Sequence, residues 1–485
     1  MSGQPNTSPA ISIPDADPRL YNHDLAPVAP AGRTWGVFSL FAMWMSDVHS
    51  VGGYTFAASL FFLGLTGWQV LIAMVAGITA VYFLINLIGR PSLKYGTPFP
   101  VVARMSFGVI CANIAASLRG IVGIVWYGVQ TYFASKAVAT LLLLFVPSAI
   151  ALRESSFLRL DMLGWVSFLF MWLLQLIIFQ RGMEIIRRFI DFCGPAVYVV
   201  MFVLMGWVLY HAGLDSLNLT LGGEVLSGTE QLLGMGNATL LVVSYFAALL
   251  LNFGDFARFA ESERAMKVGN FLGLPLNFIV FAIITVIVTS GSTKVFGTMI
   301  MDPVEIVSRI DNKLAVAIGS VTFVIATMGI NIVANFVSPA YDIANLFPKH
   351  VDFKRGGLIA SILAVLVCPW IFVDSPKAIT IFVSVFGAVL APMYGVMMAD
   401  YYIVKKQVVK AAELYTMSPG GRFYYDGGWN RVGLVALLVS GFISVGWEIS
   451  TQLLRVLPAN NFGWLIGAVS GAVIYVVLMR GARRM

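Results

Sequence analysis

Long apolar runs joined by short polar links decide what this chain can become. Twelve of them follow one another, roughly at residues 35–64, 68–89, 113–146, 162–180, 190–212, 233–257, 268–292, 314–346, 356–373, 376–402, 431–453 and 461–479. Most approach or exceed the roughly 20 residues that carry a helix through the hydrocarbon of a bilayer. Only 11% of the 485 residues are charged, against about 25% in ordinary soluble domains. The chain therefore reads as an all-α, polytopic membrane protein with about 12 transmembrane helices. An even number of crossings puts both termini on one side. Of the 31 basic residues, 22 fall on that side and seven on the other, with Arg119 and Lys136 inside the third run. Lys and Arg accumulate on the cytoplasmic side, so both ends are expected in the cytoplasm, with the protein in the cell (inner) membrane. The net charge of +7 then reports where loops lie. No basic stripe with interleaved aromatics points to nucleic acid.

Residues 1–33 hold six prolines and lack the basic-then-apolar order of a cleavable signal, so a mostly disordered cytoplasmic arm is expected there. Residues 98–113 are moderately apolar and contain Arg104, as a hairpin folded back under the bundle or a plain polar link would be. Cys111, Cys193 and Cys368 lie far apart in or beside apolar runs, which fits buried filler and neither a disulfide framework nor a metal site.

The first run carries the stretch MWMSDVHSVGGY at 43–54. Asp47, His49, Ser46, Ser50 and the Gly52-Gly53 pair thus fall near mid-depth. A charge there costs at least about 2.5–3.5 kcal/mol on insertion scales, and each glycine weakens a helix by roughly 1 kcal/mol. A discontinuous helix whose freed backbone groups bind a solute or cation is the expected result. Five runs later, at Ser244-Tyr245-Phe246, the sixth changes character ahead of Asn252 and Asp255. The third carries Gln130, and the eighth Asn331 and Asn335. Interrupted or polar helices at matching places are the trace of an inverted repeat with its site at the repeat interface. The halves would be 34–212 and 213–402, followed by a cytoplasmic loop, 403–430, and helices 11 and 12 with a short tail, 431–485.

Trp126 and Gln130, four apart, share a helix face, where an indole can stack on a ring and a carboxamide can read its edge. Packing in the bundle is the alternative. Asn331 and Asn335 are likewise four apart, and could line a cavity or tie helices together. Tyr245 and Phe246 are adjacent, so one can meet solute while the other packs. Asp47 could take up a proton or bind a cation, or accept hydrogen bonds from amides freed by the break; for His49 a structural role is favoured. Asp255 with Arg258, Asp342, and Asp400 with Lys405 sit at helix ends, where capping, salt bridging or gating would suffice. No nucleotide-cradling loop, HExxH or Ser/His/Asp order appears, which disfavours ATP-driven transport; a membrane-embedded enzyme would have Asp47 with His49 as its sole candidate pair.

MWMSDVHSVGGYTF, VARMSFG, WYGVQT, NFGDFARFAES, ANFVSPAYDIANLFP and PMYGVMMADYYIVKK followed by YYDGGWN resemble nucleobase-cation-symport family 1. That family includes hydantoin, allantoin, uracil and cytosine permeases. The resemblance implies a five-plus-five inverted-repeat, leucine-transporter-like fold with discontinuous helices 1 and 6, two added helices, and alternating access. It implies a flat ring held between Trp126 and Phe246, edge contacts from Gln130 and Asn335, and a facing position for Ser50. The family's sodium pattern maps to main-chain carbonyls of Ser46, His49 and Ala326, while the expected hydroxyls are replaced by Gly329 and Ile330. Proton coupling with Asp47 as the leading acceptor, or no tight coupling, is therefore expected in place of sodium.

The expected function is secondary transport of a small planar nitrogen heterocycle by a monomer or weak oligomer, with a coupling cation and no cofactor. An amino-acid or vitamin carrier on the same fold and a passive channel are the alternatives.

Overall fold

In a bilayer core every backbone N–H and C=O needs an internal partner, so the apolar runs become helices. The computed structural model describes residues 11–215, 226–373, 375–454, 456 and 460–482, apart from the side chains at 46, 190 and 194. The first run forms Val37–Val48 (α1) and Val51–Ser59 (α2), separated at His49 and Ser50. Gly67–Tyr95 (α3) starts on a reciprocal cap between Thr66 and Gln69. A short buried helix, Phe99–Phe107 (α4), precedes the long Ala112–Phe145 (α5). A small hairpin, Ser156–Phe157 (β1) with Leu160–Asp161 (β2), then leads into Met162–Gln180 (α6) and Met183–Ala212 (α7).

The second half repeats these shapes. Gly228–Tyr245 (α8) is bent by 44° against the segment made of Ala247–Asn252 (α9) and Gly254–Ala257 (α10). Glu263–Phe271 (α11) passes through a π-type turn containing Pro275 into Asn277–Phe296 (α12). The short Pro303–Ser308 (α13) precedes Lys313–Ile330 (α14), which runs on through a π-type stretch, Asn331–Val337, into Ser338–Leu346 (α15). Phe353–Leu366 (α16) and Pro376–Met398 (α17) follow. The third span of each half, Ala112–Phe145 and Lys313–Leu346, is 34 residues long, and each is preceded by one short helix, α4 or α13. Arg431–Glu448 (α18) and Gly463–Ala482 (α19) pack along α17.

Among the described residues nine helices are long and apolar enough to cross a membrane alone, and ten with the bent pair counted as one. Twelve is not reached by that measure, because α1, α2 and α16, of 12, 9 and 14 residues, are too short to qualify.

The links that even-numbered crossing assigns to one side do meet on one face. There Val28 N–H donates to Gly96 O, Trp35 N–H to Phe259 O, and Phe353 N–H to Asp24. The disordered arm expected over 1–33 gives way, from residue 11 on, to a docked segment. Leu20, Leu25 and Val28 are buried, and the Tyr415 hydroxyl donates to Leu25 O at 2.7 Å. Residues 1–10 lie outside the described residues. The stretch at 98–113 resolves as buried α4. Beside it, buried Asp400 pairs with Lys405 and accepts hydrogen bonds from Ser106 Oγ at 3.0 Å and Tyr475 OH at 2.6 Å. That satisfied charge pair ties α4 and α19 to the chain end of α17, the geometry that keeps a buried ion pair from being a net penalty.

Candidate functional site

Unwinding a helix frees amides that must find new acceptors. At the first break Gly53 N–H donates to Ser50 Oγ at 2.9 Å, and Val51 N–H donates across to Thr327 Oγ1 on α14 at 3.1 Å. Asp47 takes no such part. It lies in the last turn of α1 with 1% of its surface exposed, and neither carboxylate oxygen has a hydrogen-bond partner among the described residues. His49 turns away from the bundle centre: Nδ1 lies 2.8 Å from Tyr54 OH, and the ring packs 4.4 Å from Tyr198 and edge-on to Phe281.

Where the break meets the bend of α8, Asp47, Trp126, Gln130, Tyr245 and Asn335 close around a small cavity, with Ala248, Leu249, Ile330 and Ala334 completing its wall. Trp126 stands edge-on to Tyr245, ring centroids 5.4 Å apart at 82°. Tyr245 also stacks on Phe56 at 4.5 Å. Gln130 Nε2 lies 3.3 Å from Ser50 Oγ and 3.5 Å from Tyr245 OH. The cavity measures about 20 Å³, room for about one water, so its walls must move before any ring could enter. A larger cavity of about 340 Å³ opens near the far end of α5, around Lys136, Arg153, Asp161 and Asp302. Its nearest residue on α5, Tyr132, is six residues or about 9 Å along the helix from Trp126, and it shares no lining residue with the smaller cavity.

Residues 27–467 match the family described as permease for cytosine/purines, uracil, thiamine, allantoin. The chain belongs to nucleobase-cation-symport family 1. This permease is 36% identical to the allantoin permease of Bacillus subtilis over 95% of its own length and 94% of that protein. It is 33% identical to the purine-uracil permease NCS1 of Arabidopsis thaliana, over 96% and 79%. Its fold matches Mhp1, a nucleobase-cation-symport-1 family transporter solved in a closed conformation with bromovinylhydantoin bound, at a TM-score of 0.79 over 96% of both chains and 22% identity. The permease therefore has the five-plus-five, leucine-transporter-like fold. The relatives are transporters, and so is this chain.

In the permease Asn331 and Asn335 sit in the π-type stretch after α14, where such turns often mark functional sites. Asn331 Nδ2 reaches Tyr127 O, Thr131 Oγ1 and Gln175 Oε1 at 2.7–3.0 Å, and Asn335 Nδ2 donates to Asn331 Oδ1 at 3.1 Å. Asn331 is thus a support outside the cavity, and Asn335 lines it. Phe246, expected to stack on a ring, instead packs on the far side of the bend, 5.8 Å from Phe278 and 6.4 Å from Trp44. Tyr245, the last residue of α8 before the bend, lines the cavity. Ser50 caps α2 from the cavity's edge. Ser46 lies in α1 with its side chain outside the described residues.

Of the α14 side chains beside Ala326, Gly329 brings no oxygen, Ile330 lines the cavity with hydrocarbon, and Thr327 Oγ1 accepts from Val51 N–H.

A further buried group brings Arg119, which spacing left unassigned, near two of the acids read as helix-end groups. Buried Arg119 donates to Ala334 O at 2.9 Å, joining α5 to the π-type stretch one residue before Asn335. Asp255 accepts from Phe99 N–H at 2.8 Å, and Asp342 lies under Gly120. The visible signal was a cation inside an apolar run.

Proposed function

We propose that this permease imports a small planar nitrogen heterocycle, a nucleobase such as uracil or cytosine or a ring such as hydantoin or allantoin, by alternating access. The observation that carries the reading is the cavity where the first break meets the bend of α8, with an indole, a phenol and two carboxamides on its wall. The Bacillus subtilis allantoin permease, 36% identical along nearly the whole chain, supports the same class. Trp126 and Tyr245 flank the ring and contribute about 0.5–1.5 kcal/mol each beyond burial, while Gln130 and Asn335 read its amide edge. A neutral ring suits a wall with no Lys or Arg.

The chain works as a monomer or weak oligomer in the cell (inner) membrane with both termini cytoplasmic, following the bias of basic residues. Coupling is to protons, with Asp47 as acceptor. A bare carboxylate among apolar side chains costs several kcal/mol, and the residues beside Ala326 offer sodium too few oxygens. A thermal-shift screen of the purified permease against nucleobases, hydantoins and allantoin, with and without sodium, tests the class. Trp126→Ala and Gln130→Ala are expected to abolish ligand-induced stabilisation while the protein still inserts; stabilisation intact in both removes them from the site. Uptake that collapses without sodium yet ignores a protonophore refutes the coupling.

A further inference from the structure

The carboxyl of Asp47 stands on the wall that would hold the ring. It shares its cavity with Trp126, Gln130, Tyr245 and Asn335, is 1% exposed, and keeps both oxygens without a hydrogen-bond partner among the described residues. Gln130 Nε2 lies against Ser50 and the Tyr245 hydroxyl, and Ala248, Leu249, Ile330 and Ala334 have no side-chain donor.

Asn335 adds a second acceptor, and a relay fixes its orientation. The backbone carbonyl of Tyr127 can only accept, so the Asn331 end facing it is Nδ2. Asn331 Oδ1 therefore faces Asn335 and accepts one of the two Nδ2 hydrogens, which leaves the Asn335 Oδ1 as an acceptor for the cavity. Two side chains on opposite halves of the fold, α1 and the π-type stretch after α14, thus offer acceptors to whatever lies between them.

We infer that Asp47 is itself a substrate ligand and that, with Asn335, it requires unsubstituted N–H groups on the ring edge between them. The substrate class is the N–H-bearing cyclic ureides and lactams, and rings alkylated at those nitrogens are excluded. This rests on the heterocycle reading above. It does not depend on the proton carried by Asp47, because a carboxylate offers two acceptor oxygens and a carboxylic acid still offers one. A methyl in place of the N–H would press carbon against a buried oxygen and leave that oxygen unpaired, the situation in which a hydrogen-bonding site discriminates strongly.

The test compares binding of uracil, hydantoin and allantoin with that of derivatives methylated at each ring nitrogen in turn, using the purified full-length permease. In the native protein at least one methylated position is expected to weaken binding by about 100-fold or more. Asp47→Ala exchanges the carboxyl for space. It is expected to lose affinity for the parent ring by about 10-fold or more and to bind the same methyl derivative at least as tightly as the parent. Asp47→Ser opens similar room while keeping a hydroxyl, and carries the comparison if the alanine variant is not monodisperse. A native preference retained in both variants overturns the inference and leaves the heterocycle reading standing, as does a native protein indifferent to methylation. Failure of every parent ring to bind the native protein sinks that reading and this inference together.

Discussion

The two interruptions that frame the cavity are built differently. At the first, two residues leave the helix altogether, His49 at φ −89°, ψ 43° and Ser50 at φ −92°, ψ 157°, and the freed amides of Val51 and Gly53 are satisfied by hydroxyls. At the second only Phe246 departs, at φ −83°, ψ 0°, and its N–H still reaches Val242 O at 3.3 Å. The first break thus depends on borrowed side chains and places a buried acid beside itself, whereas the second keeps the Phe246 N–H paired with its own helix and presents aromatics. Polar recognition comes from the broken half and a ring face from the bent half.

If that contrast is right, substitutions at the first break should be the more damaging. A Cβ on Gly53 would stand 2.8 Å from the backbone oxygen of Val48, which cannot swing aside as a side chain can. Gly53→Ala is therefore expected to cost about 3 kcal/mol, the upper end for overpacking, seen as a lower melting temperature in detergent. A melting temperature equal to the native value would mean that the break has slack. Thr327→Val removes the acceptor of the Val51 amide while keeping the shape. An unpaired buried N–H costs about 1–3 kcal/mol, so Thr327→Val should destabilise and Thr327→Ser should not; equal behaviour of the two variants would show that the hydroxyl is dispensable.

The difference between the breaks also explains which parts could be read from the chain. Asp47, His49 and paired glycines inside an apolar run conflict openly with a helix, so the first break was legible, although the unwound pair falls at His49 and Ser50. The second break had no such conflict and emerged by comparison between the halves. Which of Tyr245 and Phe246 faces inward was not legible, since neighbours on a helix point about 100° apart and tertiary packing chooses between them. Leu20, Leu25 and Val28 follow no helical or strand period, and their burial depends on docking against loops from 96 to 415. Arg119 was visible as a misplaced charge, but its acceptor, Ala334 O, lies 215 residues away.

The smallest expected effects separate the two adjacent aromatics at the bend. Tyr245 meets Trp126 across the cavity, whereas Phe246 is fully buried against Trp44 and Phe278. Tyr245→Leu should weaken ring binding by the worth of one aromatic face, about 0.5–1.5 kcal/mol, or roughly 2- to 10-fold, with little change in melting temperature. Phe246→Leu keeps most of the hydrophobic volume at a packed site, so it should cost less than about 1.5 kcal/mol of stability and leave ligand affinity within twofold. Titration of both variants with the ring found in the screen decides between the two positions. If Phe246→Leu lost affinity and Tyr245→Leu did not, the ligand-bound state would have to rotate α8 about its bend, and the ring would lie against the face that here packs on Trp44.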